Sequence, residues 1–190
     1  RRTGIQAPST GTFCRRQKKH MAEESTLWFH GKEPSEEEVK HAITGAPWDF
    51  IREVVFCGFG EPTLRLDLLL DMLRLVKALH PEMPTRLNTN GLTNLEYGTD
   101  VTPRFAGILD TASISLNASN AQRYYELTRA KFGLDAYEGM LDFAQKMKRY
   151  VPHVVLTVVD HVEDQEEIEK CREICDSRGL TLRVRPYEAQ

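Results

Sequence analysis

The chain's most suggestive chemistry sits in Val54-Val-Phe-Cys-Gly-Phe-Gly-Glu-Pro-Thr63. An apolar run leads directly into Gly58, Gly60, Glu61 and Pro62. Glycines at a strand end let the backbone pass close to a bound molecule. A carboxylate there suits a cationic partner, such as an amine. Further along lie Asn88 and Asn90 before Gly91, then Ser113, Ser115 and Asn117, then Thr157 and Asp160, then Arg183, Arg185 and Tyr187. Alternation along a strand puts Asn88 with Asn90 on one face, and Ser113 with Ser115 and Asn117. Taken singly, each has an ordinary reading: Asn-Gly is a turn signal, and a serine in a strand is tolerated. Together, several successive strands ending in hydrogen-bonding groups suit a polar, nucleotide-like ligand.

Other groups could do different work. Glu61, Asp160 and His161 are candidates for metal-free acid–base chemistry, though no pair has a spacing that argues for it. The basic run Arg15-Arg-Gln-Lys-Lys19 reads as a solvated loop or as a lure for an anion. Glu36, Glu37 and Glu38 complement a helix dipole. The cysteines are Cys14, Cys57, Cys171 and Cys175, scattered and without a secretory signal, which reads as reduced thiols in a cytoplasmic protein.

The elements that must position these groups alternate. Pro34-Ser-Glu-Glu-Glu-Val39 opens a helix, with Ser35 as N-cap and Glu38 completing a capping box. Apolar spacing predicts helices over 66–79, 120–129, 134–149 and 163–178, the last ending at Gly179. Strands are expected at 52–58, 85–90, 109–117, 154–160 and 180–184, and residues 92–107 read as a polar connector with one helical turn. Alternating strands and helices indicate an α/β fold with a parallel sheet and right-handed crossovers. An open doubly wound sheet and a partial barrel both fit. In either, ligands bind at the C-terminal ends of the strands.

The chain has 190 residues, enough for one domain with an adequate core. Its net charge of −3 gives no global field for nucleic acid or anionic lipid. No apolar stretch approaches a membrane span.

Gly58-Phe-Gly-Glu-Pro62 resembles the glycine-glycine-glutamate element of radical S-adenosylmethionine (SAM) proteins, which lines the amino group of SAM. Leu87-Asn-Thr-Asn-Gly91 and Ile114-Ser-Leu-Asn117 are similar to the family's third- and fourth-strand motifs, and Tyr124 to Arg129 to the segment after the fourth. The resemblance runs from about residue 12 to the end. It looks closest to the small radical SAM proteins encoded beside TatD-type nucleases, through segments such as Leu27-Trp-Phe29, Asp100-Val-Thr-Pro103 and Val184-Arg-Pro-Tyr187. It implies a partial TIM-type (βα)6 barrel over residues 21–190, with its first strand incomplete. Residues 1–20 fall at the position of the cluster loop. By family, Gly58, Gly60, Glu61, Asn88, Asn90, Ser115 and Asn117 would bind SAM, and Arg129 would pair with its carboxylate.

The family's defining motif is C-x3-C-x-aromatic-C, whose thiolates hold a 4Fe–4S cluster. Phe13 and Cys14 fall where the aromatic and the last cysteine belong, while Ala7 and Gly11 stand in place of the other two. Cys14 would thus be the one matching metal ligand. Two functions follow from the resemblance. One is an enzyme that cleaves SAM reductively, served by a reductant such as flavodoxin or ferredoxin, on an unknown substrate. The other is a cluster-deficient binding or regulatory protein.

Overall fold

The computed structural model describes residues 33–58, 60–160 and 164–186. The segment 1–20 with Cys14, and likewise His161 and Tyr187, lies outside the described residues.

Each element forms for a local reason. The Ser35 hydroxyl accepts from the Glu38 N–H at 3.2 Å, and the Glu38 carboxylate accepts from the Ser35 N–H at 2.7 Å, so the expected capping box opens α1 (Glu36–Thr44). The short strand β1 (Val54–Phe56) follows, then α2 (Leu66–Leu79). In α2, Leu66, Leu69, Leu70, Met72, Leu73 and Val76 are buried on one stripe. Each such side chain contributes about 1.5–3 kcal/mol of transfer free energy. Next come β2 (Thr85–Thr89), α3 (Thr93–Tyr97), β3 (Thr111–Ser115), α4 (Ala121–Thr128), α5 (Asp135–Met147), β4 (His153–Val159), α6 (Gln165–Ser177) and β5 (Thr181–Arg185). Gly179 takes a positive φ of 62° just beyond α6, where the chain leaves the helix for β5.

The five strands pair in chain order, all parallel, in one unclosed sheet. Leu87, Ala112, Ile114, Leu156 and Val158 are buried among helix residues such as Leu73, Met140, Phe143 and Cys171. Leu182 and Val184 pack against the same core. Their strand neighbours Arg86, Asn88, Ser113, Ser115 and Val155 are half-buried, and Arg183 and Arg185 are exposed. The helices therefore cover one face; the other is largely polar and more open, with Thr157 of β4 buried at its centre. This is a partial barrel wall.

The lower end of the sheet is pinned by Asp110. Its Oδ2 accepts from Lys77 Nζ at 2.7 Å, the Thr85 N–H at 2.7 Å and Thr85 Oγ1 at 3.0 Å. Burial pushes the Asp110 carboxyl up, but Lys77 and Thr85 together outweigh it and hold it below its ordinary value. Residues 92–107 are less polar in place than in sequence: Leu92, Val101 and Phe105 are buried core residues.

Candidate functional site

Glu61 is the N-cap of a 3-10 turn, Pro62–Arg65, between β1 and α2. Its side chain is only 5% exposed. Oε1 accepts from the Thr63 N–H at 3.2 Å, Thr63 Oγ1 at 2.8 Å and Thr89 Oγ1 at 2.7 Å. Oε2 accepts from the Asn90 N–H at 2.7 Å. The carboxylate thus fastens the loop after β1 to the end of β2. Burial pushes its pKa up; the hydrogen bonds from Asn90, Thr89 and Thr63 oppose that, and the net direction is upward. Burial, and then the charge of Glu61, push the phenol of Tyr124 in α4 up as well.

The 3-10 turn is held from its other side. The Tyr97 hydroxyl donates to the Thr63 carbonyl at 3.1 Å and accepts from the Leu66 N–H at 3.3 Å. Arg65 donates to the Pro34 carbonyl at 2.7 Å, linking the turn to the approach of α1. Gly58 and Gly60, half-buried, lie on the loop that this network steadies.

The remaining predicted residues gather on the neighbouring strand ends. Asn88 lies beside Ser113 in the register of β2 and β3, and Ser113 beside Val155. Ser115 lies beside Thr157. The Asn90 side chain closes a local turn, its Oδ1 accepting from the Leu92 N–H at 2.9 Å. Asn88 is therefore the β2 amide on the open face. Asn117 and Arg129 are the two non-glycine residues with positive φ among the described residues, at 63° and 52°. Asparagine tolerates this conformation through local hydrogen bonding. Arg129 has a helix-ending role there as the C-cap of α4 and leaves its side chain exposed. Glu61 and Asn90 are in direct contact through the Asn90 N–H, and Arg129 ends α4.

Sequence reasoning missed Thr63 and Thr89, the hydroxyls that hold Glu61. Thr89 alternates away from Asn88 and Asn90, toward the helix side, so a polar residue between two candidate contacts was itself the available signal.

The radical SAM superfamily profile matches residues 12–175. This chain belongs to the radical SAM superfamily. What that family implies as cofactors is SAM and a 4Fe–4S cluster. No curated protein matches the chain by sequence.

Solved structures share its fold. Streptococcus suis SuiB bound to the precursor peptide SuiA is 14% identical with a TM-score of 0.68, over 98% of this chain and 38% of that one. The structure described as native anSMEcpe with bound AdoMet is 16% identical with a TM-score of 0.64, over 97% and 49% respectively. A radical SAM methyltransferase from Sphaerobacter thermophilus is 15% identical with a TM-score of 0.56, over 98% and 65%. This radical SAM chain spans 38% to 65% of the length of these three.

A cluster held by three thiolates does not fit the cysteines among the described residues. Cys171 and Cys175 lie in α6, fully buried in the core on the helix-covered side. Burial pushes the Cys175 thiol up to about 11, the reverse of what a metal-bound thiolate needs. Cys57, half-buried just after β1, is the one described thiol near the strand ends. No group of three His, Cys, Asp or Glu side chains among the described residues could hold a metal ion. No described helix is long and apolar enough to cross a membrane.

Proposed function

We propose that this chain binds SAM across the C-terminal ends of β1, β2 and β3. The observation that carries the reading is the buried Glu61 clasp, at the position of the family's amine-binding element. With Oε1 already accepting three hydrogen bonds, Glu61 acts chiefly by fixing the loop. Gly58 and Gly60 then bring backbone carbonyls to the SAM amine, with Oε2 behind them. Asn88, Asn90, Ser115 and Asn117 meet the ribose and methionine parts, and Arg129 pairs with the carboxylate through two parallel N–H groups. Cys14 would be the surviving ligand of the cluster position. The chain's closest subgroup would be the TatD-linked radical SAM proteins, and its compartment the cytoplasm.

Isothermal titration with SAM tests this. Saturable binding that weakens in Glu61→Ala, measured where circular dichroism shows that variant folded, supports it; no binding, or equal binding in the variant, sinks it. A second reading, reductive cleavage of SAM, is favoured by the family match alone. Anaerobic reconstitution with iron and sulfide tests that reading separately. Absence of both cluster absorption and 5′-deoxyadenosine on reduction would leave the binding reading standing.

A further inference from the structure

The open face of the sheet carries an unbalanced charge at its last strand. In β5, Leu182 and Val184 pack on the core, so Arg183 and Arg185 project from the opposite face. The register sets Arg183 beside Thr157, and Thr157 beside Ser115, so one row of that face reads Ser115, Thr157, Arg183. Arg185 follows one step nearer the strand mouth, beside Val159. Arg74 pairs with Asp71, Arg86 with Glu53, Arg104 with Asp67, Arg172 with Glu169 and Arg178 with Glu138. Arg183 and Arg185 make no ion pair or side-chain hydrogen bond among the described residues, and both are exposed. Arg52, Arg129 and Arg149 make no ion pair among the described residues either, but each lies outside the strands, whereas Arg183 and Arg185 share one strand face.

Two guanidinium groups two residues apart on one strand face have Cα atoms roughly 6.6 Å apart and repel each other. A generally basic surface does not account for them, because the chain's net charge is −3. Parallel sheets normally have both faces covered. Here the face opposite the helices holds Asn88, Ser113, Ser115, Arg183 and Arg185, hydrogen-bonding groups that a polar ligand would satisfy.

We propose that Arg183 and Arg185 form a clamp for an anionic group, a carboxylate or a phosphate, on the molecule that lies against this open face. Guanidinium N–H pairs match the oxygen pairs of both anions. Assigning that anion to the substrate rests on the SAM-binding reading above, since SAM then occupies the ends of β1 to β3 and leaves β5 to the second molecule. The anion site itself stands without it.

The test titrates the full chain with inorganic pyrophosphate, with succinate and with SAM, by calorimetry. The comparison proteins are the double variant Arg183→Gln with Arg185→Gln, the double variant to Lys, and Arg52→Gln as an exposed control. Wild type should bind at least one anion at one-to-one stoichiometry, and the tighter of the two distinguishes a phosphate source from a carboxylate source. The Gln pair should weaken that binding about tenfold or more, and the Lys pair by less, because it keeps charge but loses the fork. The Arg52 control and the SAM affinity of the Gln pair should stay within about twofold of wild type. The proposal is overturned if neither anion binds, if the Gln pair binds as wild type does, or if SAM affinity falls in step with anion affinity. A chain that binds the anion but not SAM keeps the clamp and removes the SAM reading instead.

Discussion

Replacing Glu61 tests the central clasp. Four donors converge on its carboxylate, two of them backbone N–H groups that cannot turn away, from Thr63 and Asn90. The other two are the hydroxyls of Thr63 and Thr89, which can rotate and act as acceptors. In Glu61→Gln the new amide nitrogen must face one backbone N–H or the other. Either way one buried N–H loses its acceptor, which costs about 1–3 kcal/mol. Glu61→Ala strips the acceptor from both and empties the site, which costs about 3–5 kcal/mol. Against a domain stability of roughly 5–15 kcal/mol, the alanine variant is marginal. Urea denaturation measures this, with the slope checked so that a midpoint shift reports stability. The expected order is wild type, then Gln, then Ala. Destabilisation by Ala of less than about 1 kcal/mol would refute the clasp, because two orphaned buried N–H groups cannot be that cheap.

Gly91 has a φ of 76°, and a Cβ there would lie 2.7 Å from Ile114 Cγ2 and 2.9 Å from Met140 Cγ; Gly91→Ala should therefore lose about 2–4 kcal/mol in the same assay. Asp110 and Glu61 titrate with opposite signs. Asp110's depressed pKa gives stability that is present above its unfolded value of 3.8 and lost as pH falls through the folded value, so Asp110→Asn should flatten that acid limb of a stability–pH curve. Glu61's raised pKa opposes folding above its unfolded value of 4.5, and that penalty is relieved as pH falls through the folded value, so Glu61→Gln should remove a stability gain on mild acidification. In native thiol titration with a disulfide reagent, Cys57 should react while Cys171 and Cys175 react only after denaturation.

Much of the fold was legible because its signals are local. The capping box at Ser35 and the leucine spacing over 66–79 depend only on residues a turn apart, and both match the structure. The five strands were readable as short runs between helices, the first three closed by Gly or Asn, though β1 and β3 are shorter than their runs. Residues 92–107 were misread as polar because Leu92, Val101 and Phe105 are too widely spaced to show a period; only tertiary packing brings them together. At the site, the position of Glu61 was legible and its partners were not. Thr89 lies 28 residues away, and nothing in either segment states that a hydroxyl on one will meet a carboxylate on the other.

Strand order that follows chain order also shapes how the molecule can be made. Each strand pairs with the one synthesised just before it, and none must be threaded between two strands already in place. The sheet can grow as the polypeptide leaves the ribosome, each new β–α unit laid on the edge left by the last. The Glu61–Thr89 and Asp110–Thr85 bonds join consecutive units, so the first two junctions can be fastened before β4 exists. Of the open polar face, the arginines then come last, when β5 docks.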